Sequence, residues 1–210
     1  MNILEQISES LQKGKRKEVM ALVQQAIDEG INPGEILNEG LLAGMGVIGV
    51  KFKADEIFVP QVLVAARAMN AGAEVLKPYL SDEDATPKGK ICMGTVKGDL
   101  HDIGKNLVIM MFEGKGFQVI DLGVDVEPEK FVQTAIDEGC DIIGCSSLLT
   151  TTMPVMGEVV KAAEAAGIRD KVKIMVGGAP VTEDYALSIK ADAYTSDATS
   201  AADTAIELLA

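Results

Sequence analysis

The chain has 210 residues, of which 48% are hydrophobic and 24% are charged, and these values exclude a largely disordered protein. Acidic side chains outnumber basic ones by 32 to 19, so the formal net charge is −13, which disfavours binding to nucleic acid or to anionic membrane surfaces. The N-terminus lacks a signal-peptide pattern, and the three cysteines form no Cys-x-x-Cys pair. We therefore expect a cytoplasmic protein with no nucleic-acid and no membrane partner.

The first 84 residues are predicted to form a helical domain. Apolar residues recur at helical spacing over residues 3–11 and again over 19–27, and each pattern ends near a glycine. A Pro-Gly-Glu sequence opens a third helix that runs from residue 33 to about residue 53. Pro60 lies in the first turn of a fourth helix, which continues to Leu76. Four helices with short connections indicate an all-α four-helix bundle.

Residues 81–88 are polar, contain a proline and are predicted to be a linker. Beyond them, short apolar runs alternate with helical patterns, as in an α/β fold with a parallel sheet. The predicted strands cover residues 91–96, 118–122, 141–145, 172–176 and 192–195. The predicted helices cover residues 103–116, 128–139, 154–167, 183–190 and 198–209. The sequence thus predicts a flavodoxin-like (Rossmann-like) five-stranded parallel sheet over residues 85–210, with strand order 2-1-3-4-5.

The only histidine, His101, directly follows the first predicted strand. In the expected strand order ligands bind where the first and third strands end, so this imidazole would lie at the binding edge. Asp99 could accept a hydrogen bond from one ring nitrogen and turn the other outward, as in the surroundings of a metal-bound histidine. Gly98 and Gly104 would let the backbone approach a bulky ligand. The alternative is a surface histidine beside an aspartate, Asp99 or Asp102, that caps the next helix.

Two further loops are predicted at the same edge. A run rich in hydroxyl groups, Ser146 to Thr152, follows the third strand, and Gly177-Gly178 follows the fourth. The hydroxyl groups could reach Asp99 or a polar ligand, and the glycines could leave room for an elongated ligand. Taken singly, the first loop could be a helix cap and the second an ordinary tight turn.

Several common sites are absent from the sequence. It contains no Gly-x-x-x-x-Gly-Lys-Ser/Thr phosphate loop, no Gly-x-Gly-x-x-Gly after the first strand and no Gly-x-Ser-x-Gly. One histidine without clustered cysteines cannot form a usual zinc site. The third strand has no aspartate at its end, which disfavours a phosphoacceptor receiver domain.

Three motifs together resemble a known signature. Asp99-x-His101-x-x-Gly104, Ser146-x-Leu148 and Gly177-Gly178 look like the signature of cobalamin-binding domains that hold the cofactor base-off and His-on. Residues 147–149 also fit the Ser-x-Leu pattern, but Ser146 is preferred because the third predicted strand ends there. Residues 44–52 and 56–60 resemble the helical cap domain of methionine synthase. Nearly the whole chain resembles corrinoid methyl-carrier proteins of methyltransferase systems.

This resemblance implies a helical cap over residues 1–84 and a cobalamin-binding α/β domain over residues 85–210. His101 would be the lower axial ligand of cobalt in methylcobalamin or a related corrinoid, and Asp99 with a hydroxyl of residues 146–152 would form a proton relay. The cap would place apolar groups such as Phe58 and Val59 over the upper face of the cofactor, and the alternative, favoured for most of these cap residues, is that they are bundle core. The implied cofactor contacts in the α/β domain are Gly98, Asp99, His101, Asp102, Ile103, Gly104, Ser146, Leu148, Thr150, Thr152, Gly177 and Gly178.

The resemblance also implies a function and partners. The chain would be a methyl-carrier subunit that completes no reaction alone. A donor-specific methyltransferase would load the methyl group onto cobalt, an acceptor methyltransferase would pass it to tetrahydrofolate or a thiol, and a reductive activase would restore the cofactor. The sequence does not distinguish methanol, methylamine, methoxyaromatic and betaine donors. A passive cobalamin store or sensor and a mutase-type cobalamin domain are the alternatives.

Overall fold

The structure is a computed structural model that describes residues 2–81 and 86–210. The chain divides into two compact units, one formed by Met1–Pro87 with Gly114–Gly116 and the other by Lys88–Glu113 with Phe117–Ala210. The predicted boundary between residues 84 and 85 lies outside the described residues. None of the described helices combines the length and the hydropathy that a membrane-spanning segment needs.

The first unit is helical, as predicted. Its first helix begins with a reciprocal cap, in which the Glu5 N–H donates to Asn2 Oδ1 at 2.8 Å and the Asn2 N–H donates to Glu5 Oε2 at 2.9 Å. Ile7, Leu11 and Val23 are fully buried and form part of the core between the helices. The α-helices are α1 (Ile3–Gln12), α2 (Arg16–Asp28), α3 (Pro33–Glu35), α4 (Ala43–Lys53) and α5 (Val59–Leu76), and a 3₁₀ turn covers Lys77–Tyr79.

A π-helical segment, Ile36–Leu42, joins α3 to α4 where the sequence predicted one uninterrupted α-helix. Ile36 and Leu41 are both fully buried although they lie five positions apart, a spacing that the wider π turn brings toward one face. Gly40 lies against Ile7, whose Cγ2 would be 3.2 Å from a Cβ at residue 40. The wider turn therefore keeps the apolar residues of this long helix in the core.

The second unit contains the predicted sheet. Its five strands are all parallel, and their order, 2-1-3-4-5 when numbered along the chain, confirms the predicted one. The second strand is four residues longer than predicted because it continues past Gly123, with register shifts against the first strand. The strands are β1 (Lys90–Val96), β2 (Gln118–Val126), β3 (Ile142–Ser146), β4 (Lys173–Gly177) and β5 (Ala193–Tyr194).

Helices cover both faces of the sheet. On one face Cys92, Val96 and Ile143 pack in a core with residues of the second, third and fourth helices of this unit. On the other face Met93 lines a cleft together with residues of the first and last helices. Because all strands are parallel, the loops that follow them lie at one edge. The helices are α6 (Ile103–Gly114), α7 (Pro128–Glu138), α8 (Pro154–Ala165), α9 (Glu183–Ser188) and α10 (Ala198–Leu209).

Candidate binding site at the carboxyl edge of the sheet

The loop between β1 and α6 is fastened to the end of β2. Gly98 has a φ of +81°, a conformation that glycine adopts without strain, and its N–H donates to Asp125 Oδ1 at 2.7 Å. The N–H of Asp125 donates in turn to the carbonyl oxygen of Asp99 at 3.0 Å. Asp125 itself has a φ of +56°, which is uncommon for a residue with a side chain. These two hydrogen bonds, which we call the Asp125 clasp, fix the backbone that carries Asp99 and His101.

Asp99 is fully buried, and both of its carboxylate oxygens accept hydrogen bonds. Oδ1 accepts from the backbone N–H of His101 at 3.0 Å and lies 2.9 Å from Nδ1 of the same residue. Oδ2 accepts from the N–H of Leu148 at 2.7 Å, the N–H of Leu149 at 3.3 Å and the hydroxyl of Thr152 at 3.1 Å. One carboxylate therefore joins the loop after β1 to the loop after β3.

The hydrogen bonds keep this carboxylate ionised despite its burial. Burial opposes the charge and alone would raise the pKa of Asp99. The N–H groups of His101 and Leu148, followed by the His101 ring and the Thr152 hydroxyl, outweigh burial and hold the pKa well below its usual range. An ionised carboxylate at Nδ1 favours the tautomer in which Nδ1 carries the proton. The lone pair is then on Nε2.

The imidazole of His101 is oriented but not enclosed. The backbone carbonyl of His101 accepts a hydrogen bond from the Thr95 hydroxyl at 2.7 Å. The side chain is 54% exposed, and its Nε2 has no hydrogen-bond partner among the described residues. The part of the chain that the structure describes contains no group of three or more His, Cys, Asp or Glu side chains able to hold a metal ion. Among the described residues, this edge of the sheet thus presents one oriented imidazole nitrogen.

The hydroxyl-rich loop contributes Thr152 to this network. Oγ1 of Thr152 lies 2.8 Å from Oγ of Ser147. Ser147 is fully buried, and its hydroxyl lies 3.1 Å from the carbonyl oxygen of Leu149. Ser146 and Ser147 both line the cleft, and of the two only Ser147 contacts Thr152. The expectation that Ser146 is the serine of the Ser-x-Leu motif stays a prediction. Thr150 is exposed and does not line the cleft.

Gly178 brings the loops after β3 and β4 into close contact. Its φ is +135°, and a Cβ at this position would overlap the carbonyl oxygen of Ser147. The N–H of Ser147 donates to the carbonyl oxygen of Gly177 at 3.1 Å. A residue with a side chain could occupy position 178 only by separating the two loops.

These loops surround a cleft of about 540 Å³ that extends into the space between the sheet and helices α6 and α10. A Cβ at Gly104 would meet nothing within 4 Å, so this part of the wall has room for a bulky group. Leu100 and Ile103, which flank His101 and Asp102, are 71% and 75% exposed and present apolar surface beside the imidazole. Of the predicted contact residues, those that line the cleft are His101, Asp102, Ile103, Gly104, Ser146, Leu148, Gly177 and Gly178.

The other predicted contacts lie elsewhere. Gly98, Asp99 and Thr152 support the loops from behind and do not line the cleft. In the first unit, Phe58 is 66% exposed and precedes α5, where its N–H donates to Gln61 Oε1 at 2.8 Å, and Val59 is half-buried. The exposure of Phe58 excludes the interpretation that this side chain is bundle core.

Comparison with known families identifies the family to which this chain belongs. A family model described as "B12 binding domain" matches residues 89–208, and a second model with the same description matches residues 3–77. The chain belongs to the B12-binding family. Its cofactor is a corrinoid, the cobalt-containing macrocycle of vitamin B12.

Relatives of this B12-binding protein are corrinoid proteins of methyltransferase systems. The chain is 42% identical over 209 residues to "Dimethylamine corrinoid protein 1" of Methanosarcina acetivorans, covering 99% of this chain and 98% of the relative. It is 38% identical over 212 residues to a corrinoid protein of Desulfitobacterium hafniense, covering 100% and 98%. Among solved structures it resembles a chain of the methanol:cobalamin methyltransferase complex MtaBC from Methanosarcina barkeri, with a TM-score of 0.91, 29% identity and coverage of 99% and 79%.

Proposed function

We propose that this chain binds its corrinoid base-off, with Nε2 of His101 as the lower axial ligand of cobalt. We further propose that it carries a methyl group on cobalt from a donor-specific methyltransferase to an acceptor methyltransferase that uses tetrahydrofolate or a thiol. The observation that supports this most directly is the pairing of His101 Nδ1 with the buried, ionised carboxylate of Asp99 at 2.9 Å. That pairing directs the lone pair of the other ring nitrogen outward.

The bound corrinoid supplies a cobalt centre that accepts and releases the methyl group. The residues of this chain tune the axial position. Asp99 withdraws the Nδ1 proton toward itself, which makes Nε2 of His101 a stronger donor. The N–H of Leu148 and the hydroxyl of Thr152 set how much negative charge Asp99 directs at the ring. The strength of a bond from Nε2 of His101 to cobalt would thus depend on both loops.

The contacts of Asp99 would also form a proton relay between the two loops. Its carboxylate lies 2.9 Å from Nδ1 of His101 and accepts a hydrogen bond from the hydroxyl of Thr152. Thr152 has one hydroxyl proton and lies within reach of both Asp99 Oδ2 and the carbonyl oxygen of Leu149, at 3.1 and 3.0 Å. A rotation of this hydroxyl would add or remove a hydrogen bond to the carboxylate as the charge on the ring changes.

The cleft is the site that we assign to the nucleotide carrying the displaced lower base. It begins beside His101 and continues along β3 beneath α6 and α10, and its volume of about 540 Å³ suits a group of this size. Leu100 and Ile103 would support the lower face of the macrocycle through their exposed apolar surface.

The identity of the partners stays a prediction. The names of the relatives point to methylated amines or methanol as donor classes, and the donor would be recognised by the partner methyltransferase rather than by this chain. Contact of Phe58 and Val59 with the upper face of the cofactor, reactivation by a reductive activase and a cytoplasmic location rest on the sequence. The three free cysteines are buried and fit a reducing compartment.

The axial ligand can be tested without a partner enzyme. The chain is reconstituted with cob(II)alamin after growth on nitrogen-15 histidine, and its electron paramagnetic resonance spectrum is recorded. Because His101 is the only histidine, its coordination should change the axial nitrogen splitting from a triplet to a doublet on labelling. His101→Ala should abolish the labelled doublet, and Asp102→Asn should retain it. A triplet in the labelled wild type would refute His101 ligation.

Methyl exchange then separates a carrier from a passive store. The methylcobalamin-loaded chain is mixed with the dimethylamine- or methanol-specific methyltransferase of the related systems, and loss of the methyl–cobalt visible spectrum is followed. A carrier should exchange its methyl group at catalytic rates with one of these partners. A store would hold the cofactor with the same His101 spectrum and show no exchange.

A further inference from the structure

A row of residues forms the floor of the cleft on the sheet. Met93 of β1 pairs with Gly144 of β3, and Gly144 pairs with Met175 of β4. All three line the cleft. Met93 and Gly144 lie two residues before Thr95 and Ser146 in their strands and are therefore further from the carboxyl edge of the sheet. A glycine between two methionines leaves a trough in the floor, which we call the β3 trough and define by these three lining residues.

The β3 trough has a movable wall. A Cβ at Gly144 would overlap Sδ of Met93, so the thioether of Met93 lies across the space that the glycine leaves. Methionine has three flexible torsions and a polarizable sulfur, which let it adjust to flat groups and contact the edges of aromatic rings. From the helices, Phe112 and Ala201 complete the deep part of the cleft and are almost fully buried.

Polar groups are confined to the mouth of this cleft. The polar side chains that line it belong to the ends of strands, the loops after them or the first turn of α6, namely His101, Asp102, Lys105, Ser146, Thr195 and Asp197 among others. In the part of the chain that the structure describes, no buried side-chain nitrogen or oxygen lacks a hydrogen-bond partner. The β3 trough therefore offers apolar contacts and no buried side-chain polar group that lacks a hydrogen-bond partner.

We propose that the β3 trough selects the lower base of the corrinoid and favours a benzimidazole-class base over a purine. This inference rests on the proposed base-off mode of binding. A benzimidazole buries ring carbons and methyl groups against Met93 and Met175 at no polar cost. An adenine would bring an amino group and ring nitrogens into the same space, where they would lose water without gaining partners. Burial of such unpaired polar groups weakens binding by about 10- to 100-fold.

The space at Gly144 is the feature that the selection depends on. In Gly144→Ala the new methyl group takes the space that Sδ of Met93 occupies, so the sheet can form only with the flexible end of Met93 displaced toward the rest of the cleft. Removal of that side chain in Met93→Ala/Gly144→Ala reopens the space. A corrinoid without a nucleotide, cobinamide, does not use the trough and is indifferent to both changes.

The test compares three corrinoid probes on the full chain: hydroxocobalamin, its adenine-base analogue and diaquocobinamide. Dissociation constants are measured by titration with the visible spectrum as readout, and the melting temperature of each apo variant checks folding. Wild type should bind hydroxocobalamin at least tenfold more tightly than the adenine analogue. Gly144→Ala should weaken hydroxocobalamin binding at least tenfold and leave cobinamide binding unchanged, and the double variant should restore it.

Each contrary outcome has a distinct meaning. Equal affinity for the two bases in the wild type, or a Gly144→Ala effect that is the same for cobinamide, would overturn the selection by the trough and leave His101 ligation standing. Failure of the second substitution to rescue binding would overturn the role of Met93. If the wild type binds none of the three probes, the proposed function itself is refuted and this inference with it.

Discussion

The buried carboxylate of Asp99 should contribute strongly to the stability of the fold, and Asp99→Asn measures that contribution. The carboxylate accepts two hydrogen bonds at Oδ1 and three at Oδ2. An asparagine has one oxygen and one NH₂ group, so whichever way it is oriented its NH₂ faces two or three donors. At least two hydrogen bonds to a charged group are therefore lost.

The magnitude follows from the count of lost bonds. Hydrogen bonds to charged groups contribute about 1.5–3 kcal/mol each, so two of them contribute about 3–6 kcal/mol. We expect the lower end, because a neutral amide is less costly to bury than a carboxylate. A loss of about 3 kcal/mol lowers the melting temperature of a domain of this size by roughly 10 °C. The matched control is Asp102→Asn, since Asp102 is exposed and accepts one side-chain hydrogen bond, from Asn106 at 3.3 Å.

The assay is thermal and urea unfolding of the apo protein, repeated at decreasing pH. Because the folded-state pKa of Asp99 is lowered, its contribution is present above the unfolded-state pKa of about 3.9 and is lost as the pH falls toward the folded-state value. The difference in free energy of unfolding between wild type and Asp99→Asn should therefore be constant near neutral pH and shrink below about pH 4. Equal stability of Asp99→Asn and Asp102→Asn at pH 7 would refute this account of the site.

Three further predictions concern the surroundings. Gly178→Ala should lower the free energy of unfolding by about 3 kcal/mol or more, against about 1 kcal/mol for Gly167→Ala, which has a φ of +69° but open space around its Cα; equal urea midpoints would contradict this. Asp125→Ala should lower the free energy of unfolding by about 1–2 kcal/mol because the N–H of Gly98 loses its acceptor, and it should reduce the fraction of cobalt(II) bound by His101. Asp125→Asn should restore both quantities, and a cobalt(II) spectrum that is unchanged in the alanine variant would contradict the role of these hydrogen bonds. Burial raises the pKa of Cys145 to about 12, so iodoacetamide should label it at pH 8 only in urea, and rapid labelling of the native protein would show that the strand opens.

The fold was predictable because apolar residues repeat with different spacings in the two parts of the sequence. Helical spacing continues through Leu76, and alternation of short apolar runs with helices begins at Ile91. The π segment at Ile36–Leu42 was not predictable, because its five-residue spacing of buried positions looks the same as an irregular α-helical pattern. The end of β2 was also missed, since Gly123 among aspartates is typical of a turn although the strand continues through it.

The site was predictable where its residues are close in sequence. Asp99 and His101 are two residues apart, and their contact follows from one loop conformation. The choice among the hydroxyl groups was not predictable: Thr152 reaches the carboxylate because it lies in the turn that leads into α8, and nothing in the sequence distinguishes it from Thr150. The clasp from Asp125 depends on pairing between β1 and β2, which no local pattern encodes.

The loops at the carboxyl edge are joined in series rather than placed side by side. Ser147 is tied to Gly177, the next residue Leu148 is tied to Asp99, and Asp99 holds the ring of His101. Because adjacent residues carry these hydrogen bonds, we expect a displacement of the loop after β4 to change the orientation of the imidazole. The direction of Nε2 is thus set by three loops together and not by the loop of His101 alone.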